Sequence, residues 1–107
     1  MSCAFFITGY GDYSSGKKYF KKGQYDLAAY HLSKSLTLKP KNKKAIYLFE
    51  LSYDIAVGEH KQNISKLLSI NNNSKWPQLV KEYNMLVELG KYVNNLRALL
   101  KNNVNYN

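Results

Sequence analysis

The chain has 107 residues, which is enough for one domain with a continuous but thin core. Its single cysteine, Cys3, cannot form a disulfide within the chain, and its two histidines are too few for a metal-ligand motif. The sequence contains no glycine-rich phosphate loop, nucleophile elbow or paired-histidine motif. We therefore expect a protein that is not an enzyme and that uses no cofactor or metal.

The formal net charge of +9 is concentrated near the N-terminus. Between residues 17 and 44 the only carboxylate is Asp26. The nine lysines of that stretch are Lys17, Lys18, Lys21, Lys22, Lys34, Lys39, Lys41, Lys43 and Lys44. A basic patch of this kind attracts acidic peptides, anionic lipids or nucleic acid over a range set by salt. A solvated surface that only keeps the chain in solution is the alternative.

Residues 1–10 form an apolar segment without charged residues. It is too short to span a bilayer and lacks the basic start of a signal peptide. Phe5, Phe6 and Ile7 suit packing onto the first helix as a cap. Alternatively, the segment is the remnant of an export signal, with Cys3 as a lipidation site, which would place the protein in a bacterial cell envelope. Without that export signal a cytoplasmic location is expected, so the compartment stays open.

The next stretch predicts a helical hairpin, with helices at roughly 12–22 and 25–38. Two antiparallel helices approach closely where small residues on one wall face large residues on the other. The residues placed at such spacing are Gly16, Tyr19, Tyr25, Ala28, Leu32 and Ser35. Gly23 supplies the turn because a positive φ is cheap only for glycine, and Pro40 ends the second helix.

Part of this pattern recurs twice along the chain. Glycines that could form turns are separated by 35 and then 32 residues, each followed by an aromatic residue or histidine and later by a leucine. The three sets are Gly23, Tyr25 and Leu32; Gly58, His60 and Leu67; Gly90, Tyr92 and Leu99. We therefore predict six helices in an all-α domain, at roughly 12–22, 25–38, 43–57, 60–71, 77–89 and 92–104. No window alternates apolar and polar residues as a strand would.

The hairpin at 16–42 and its recurrences resemble the tetratricopeptide repeat (TPR). The resemblance implies a right-handed solenoid of about three hairpins, with repeats at about 9–42, 43–75 and 76–107 and a TPR-like domain over 11–107. The later repeats depart from the family pattern, since Glu50 and Tyr83 stand at a small-residue position and Asn63 and Asn95 replace an alanine.

The resemblance also implies a concave groove, because the first helix of each TPR hairpin lines the ligand-binding surface. The groove residues carried over in this way are Tyr10, Tyr13, Lys17, Phe20, Lys21, Lys44, Tyr47, Leu51, Lys81 and Asn84. The expected partner is a protein or peptide segment with acidic and aromatic or apolar residues.

We interpret the sequence as a non-catalytic interaction scaffold or adaptor. A basic helical array that binds nucleic acid is one alternative, although the single arginine and the absence of an RNA-binding motif argue against it. A self-associating module of a cell-envelope assembly is another, and membrane association is expected only if Cys3 is lipidated.

Overall fold

The computed structural model describes residues 10–105, with side chains described for residues 11–101, and this part of the chain is helical throughout apart from short connections. The four helices are α1 (Tyr10–Lys21), α2 (Tyr25–Leu38), α3 (Lys43–Leu68) and α4 (Trp76–Asn105), with one turn of 3-10 helix at Asn73–Lys75. No strand occurs within residues 10–105, so the predicted all-α class is confirmed. The apolar segment ahead of α1, including Cys3, lies outside the described residues.

Helices α1 and α2 form the predicted hairpin, and Gly23 makes its turn. Gly23 has φ of +77°, and the backbone N–H of Gln24 donates to the carbonyl of Tyr19 at 2.9 Å. The two helices approach closely at Gly16, where an added Cβ would lie 2.6 Å from Cγ of Leu32. Leu32 and Ala28 are both fully buried. The close contact therefore depends on the absence of a side chain at Gly16.

Helix α3 begins after a short turn that contains Pro40. The side chain of Asn42 caps it, accepting a hydrogen bond of 3.2 Å from the backbone N–H of Ala45. This bond satisfies one of the free N–H groups at the start of the helix. Helices α3 and α4 begin at Lys43 and Trp76, the positions at which the second and third repeats were predicted to begin.

The prediction of six helices is wrong, because the chain does not turn at Gly58 or at Gly90. The predicted helices 43–57 and 60–71 are the single helix α3, and those at 77–89 and 92–104 are the single helix α4. A glycine inside a helix costs only about 1 kcal/mol relative to alanine, so it does not end a helix whose buried face continues. The second and third hairpins are therefore absent.

In both long helices the buried face passes through the glycine without a break. In α3 the buried residues follow one another at intervals of three or four, namely Ala45, Phe49, Ser52, Ala56, His60 and Ile64. The buried or half-buried face of α4 has the same spacing, with Leu79, Glu82, Leu86, Leu89, Val93 and Leu96. Such spacing is the pattern of one continuous helix that packs along its whole length.

Helix α2 lies at the centre of the bundle and packs against α1, α3 and α4. Helix α4 runs antiparallel to α3, since its early residue Glu82 meets His60 whereas its late residue Leu96 lies near Phe49. The core is formed by a few large side chains and by alanines that let the helices approach, namely Ala28, Ala29, Leu32, Leu36, Ala45, Phe49, Ala56, Leu89 and Leu96. These contacts hold α3 against α2 and also against α4.

We predict that Gly58→Ala and Gly90→Ala each stabilise the fold by up to about 1 kcal/mol, because alanine is the better helix former. The matched control is Gly23→Ala, which should destabilise by about 1–2 kcal/mol because of its positive φ. A Cβ added at any of the three positions meets no atom within 4 Å, so steric contact does not distinguish them. Urea denaturation measures the free energy of unfolding of all three variants. A loss at Gly58 as large as that at Gly23 would show that the chain turns there.

Candidate functional site

An open depression between α1 and α3 is lined by basic and aromatic side chains. We call it the basic groove; its volume is about 430 Å³ and its lining residues are Tyr13, Lys17, Lys43, Lys44, Tyr47 and Leu48. Tyr13 and Lys17 stand one turn apart on α1, and Lys44 and Leu48 one turn apart on α3. Residues four apart share one face of a helix, so each helix presents both a lysine and an apolar or aromatic side chain to the groove.

The electrostatic character of the basic groove is positive. No carboxylate lines it among the described residues, and over residues 11–101 none of its three lysines forms an ion pair. Lys43 and Lys44 lie in the first turn of α3, where the unpaired backbone N–H groups add partial positive charge. The groove can therefore attract an anionic group.

Aromatic surface is available beside these charges. Tyr47 is 63% exposed, and Nζ of Lys17 lies 5.3 Å from the ring centroid of Tyr13, at cation–π distance. Exposure of a large aromatic ring next to unpaired cations is the combination that binds amphipathic segments, because the ring provides contact area and the cations provide orientation.

The structure brings together four of the ten predicted groove residues, Tyr13, Lys17, Lys44 and Tyr47. Lys43 and Leu48 line the groove too and were not predicted. Each of them is adjacent in sequence to a predicted groove residue, Lys43 to Lys44 and Leu48 to Tyr47. Two adjacent positions of a helix can border the same depression, so this adjacency could have indicated them.

The other predicted groove residues lie elsewhere. Phe20 packs against the core, and its ring centroid lies 5.5 Å from that of Tyr25 in a T-shaped arrangement. Lys21 and Leu51 do not line the groove. Lys81 and Asn84 border a separate depression of about 470 Å³ between α2 and α4. They are separated from the others because α4 packs along α2 and α3 and does not form the first helix of a third hairpin. The side chain of Tyr10 is outside the described residues.

A buried histidine links three helices at the side of the bundle. Nδ1 of His60 on α3 lies 2.6 Å from Oε1 of Glu82 on α4, and Nε2 lies 2.9 and 2.8 Å from the two carboxylate oxygens of Asp26 on α2. Asn63 also donates to Oε1 of Glu82, at 3.4 Å. His60 and Glu82 are buried, at 6% and 8% exposure. We call His60, Asp26 and Glu82 together the His60 clamp.

The geometry of the His60 clamp favours the doubly protonated imidazolium. A carboxylate can only accept, so both ring nitrogens must carry a proton to donate to their two carboxylates. Burial alone would lower the pKa of His60, but the hydrogen bonds and charges of Glu82 and Asp26 outweigh it and raise the pKa above its usual value of 6.5. The clamp thus joins α2, α3 and α4 through charge-assisted hydrogen bonds.

The described residues offer neither a metal site nor a membrane-spanning helix. Between residues 10 and 105 no helix is long and apolar enough to cross a bilayer, and no group of His, Cys, Asp or Glu in the same part of the chain could hold a metal ion. No protein-family model, curated protein or solved structure matches this chain.

We predict that the His60 clamp makes stability depend on pH. Because the pKa of His60 is raised on folding, its stabilising contribution should be complete below about pH 6.5 and should be lost as the pH rises through the folded-state pKa. His60→Gln should lower the free energy of unfolding by about 1–3 kcal/mol below that pH, since it removes hydrogen bonds to charged groups. Urea denaturation at a series of pH values measures both effects. If the free energy of unfolding of the variant depends on pH as steeply as that of the parent chain, His60 is not the source of the pH dependence.

Proposed function

We propose that this protein is a non-catalytic adaptor whose basic groove binds a protein segment with acidic and aromatic or apolar residues. The observation that supports the proposal most strongly is the convergence of Lys17, Lys43 and Lys44 with Tyr13 and Tyr47 in one depression. The lysines come from two helices that are separated in sequence, and no carboxylate among the described residues neutralises them there.

The chemistry of the groove suits a short extended or helical segment better than a small ligand. Its opening is broad, and the aromatic area lies at the surface, where Tyr47 is exposed on α3. An apolar side chain of the partner would gain contact with the tyrosine rings, and its carboxylates would approach the lysines. The net charge of +9 would add attraction at longer range and speed encounter with an acidic partner.

The TPR resemblance is proposed for the α1–α2 hairpin together with the first turns of α3. Two features support it, the close approach of Gly16 to Leu32 and the positive φ of Gly23. In TPR proteins the first helix of one hairpin and the first helix of the next line the binding surface. Helices α1 and α3 would stand in those places, so the basic groove would correspond to the binding surface of that family.

We predict that Lys17→Glu/Lys44→Glu weakens binding of an acidic-aromatic peptide by about tenfold or more, because two cations facing the ligand become anions. The peptide would come from a display selection against the parent chain. Both lysines are exposed, so the free energy of unfolding should change by no more than about 0.5 kcal/mol. Lys61→Glu/Lys66→Glu is the matched control, with the same charge change on exposed lysines of α3 outside the groove. Fluorescence anisotropy measures the affinities.

Equal weakening in both double variants would contradict the groove and indicate general electrostatic attraction. Selection of peptides without acidic residues would also contradict it. The nucleic-acid alternative would be favoured if an RNA or DNA oligonucleotide bound with sequence preference at physiological salt. Simple phosphate contact by lysines should instead be indifferent to sequence and should be lost as salt rises.

A further inference from the structure

A second cavity lies against a different face of α3, away from the basic groove. It has a volume of about 330 Å³, is open on one side, and is bordered by the end of α2, the first half of α3 and the last part of α4. We call it the acidic pocket. Its lining residues are Leu36, Pro40, Ile46, Phe49, Glu50, Tyr53, Asp54, Val93, Leu96, Arg97, Leu99 and Leu100.

The floor of the acidic pocket is apolar. Leu36, Phe49 and Leu96 are buried core residues, so the pocket reaches the core of the bundle. At its edge Leu100 remains 44% exposed. The size and the apolar lining are those of sites that enclose one or two large side chains of a ligand.

The α3 rim of the pocket carries two carboxylates without cationic partners. The chain has seven acidic residues, and within the described residues four of them lie within ion-pair distance of a lysine or histidine. The three that do not are Glu50, Asp54 and Glu59. Two of these three, Glu50 and Asp54, stand one turn apart on α3 and face the same apolar cavity.

The opposite rim carries a positive charge. Arg97 on α4 lines the pocket, yet it forms no ion pair with Glu50 or Asp54. A cation bound at the pocket should therefore lie at the α3 rim, close to the two carboxylates and away from Arg97. With two carboxylates on one rim and one guanidinium on the other, the pocket favours a cation on its α3 side.

We propose that the acidic pocket is a second docking site, for a segment of another protein that carries a bulky apolar side chain next to a lysine or arginine. The apolar side chain would enter the cavity and lie on Phe49 and Leu96. The neighbouring cation would meet Glu50 and Asp54, which form no ion pair with any side chain of residues 11–101. Charge complementarity at an apolar cavity selects this class of partner. Helix α3 would then separate two sites of opposite charge preference.

The test uses the full chain and a short amidated peptide in which leucine and phenylalanine alternate with lysine. A peptide of the same length with glutamate in place of each lysine is the ligand control. Binding is followed by the backbone amide resonances of the isotope-labelled protein. The lysine peptide should shift resonances of residues that line the acidic pocket, and the glutamate peptide should leave those resonances in place.

Glu50→Lys should weaken binding of the lysine peptide by roughly fivefold, because it puts a like charge at the rim. Glu59→Lys is its matched control, since it makes the same exchange at an exposed position of α3 outside the pocket, and it should leave the affinity within about twofold of the parent's. Arg97→Glu should strengthen binding, an effect that damage to the fold would not produce. The variant Lys17→Gln/Lys44→Gln removes two cations of the basic groove without adding carboxylates there. It should bind the lysine peptide within about twofold of the parent's affinity, so the two sites can fail independently.

Equal weakening by Glu50→Lys and Glu59→Lys would overturn the proposal, as would shifts centred on the basic groove. Absence of binding would overturn it as well. If sedimentation shows that the chain associates with itself and that Glu50→Lys makes it monomeric, the occupant is a second copy and the assignment to another protein is wrong.

Discussion

The contact between His60 and two carboxylates from different helices is the interaction on which the arrangement depends. Asp26 lies near the start of α2 and Glu82 near the start of α4. Their hydrogen bonds to His60 therefore fix where both helices lie along the axis of α3. Helix α3 must continue through Gly58 for His60 to reach them. Because α3 is continuous, α4 returns along α2 and α3 and closes the core with Leu89 and Leu96.

This arrangement places two depressions of different chemistry on different sides of α3. Lys44 and Tyr47 face α1 and form the wall of the basic groove, whereas Phe49, Glu50 and Tyr53 face the end of α4. In an array of TPR hairpins α3 would be the first helix of a hairpin, and the second helix of that hairpin would cover the side of α3 that carries Phe49, Glu50 and Tyr53. Here the late part of α4 covers that side only partly and leaves a cavity. The two binding sites proposed above would therefore share one helix.

The sequence was sufficient for the features that depend on neighbouring residues. The spacing of Gly16, Gly23 and Leu32 predicts the first hairpin, because the turn and the close contact both arise within one short segment. The recurrence of glycine at Gly58 and Gly90 predicts turns that the structure does not have, because the apolar spacing continues unbroken on either side of each glycine. The His60 clamp could not be predicted from the sequence, because its carboxylates lie 34 and 22 residues from His60 and their approach follows from tertiary packing. For the same reason the sequence does not show that Lys81 and Asn84 border a different depression from Lys17 and Lys44.

Backbone NMR can show whether α3 and α4 continue through their glycines. We expect helical Cα chemical shifts, and contacts between each Hα and the amide proton three residues later, without interruption across Gly58 and across Gly90. We also expect contacts between His60 and residues of both α2 and α4. A break in the helical pattern at Gly58, with the residues after it folding back onto the first half of α3, would instead show that the chain turns there, as three separate hairpins require.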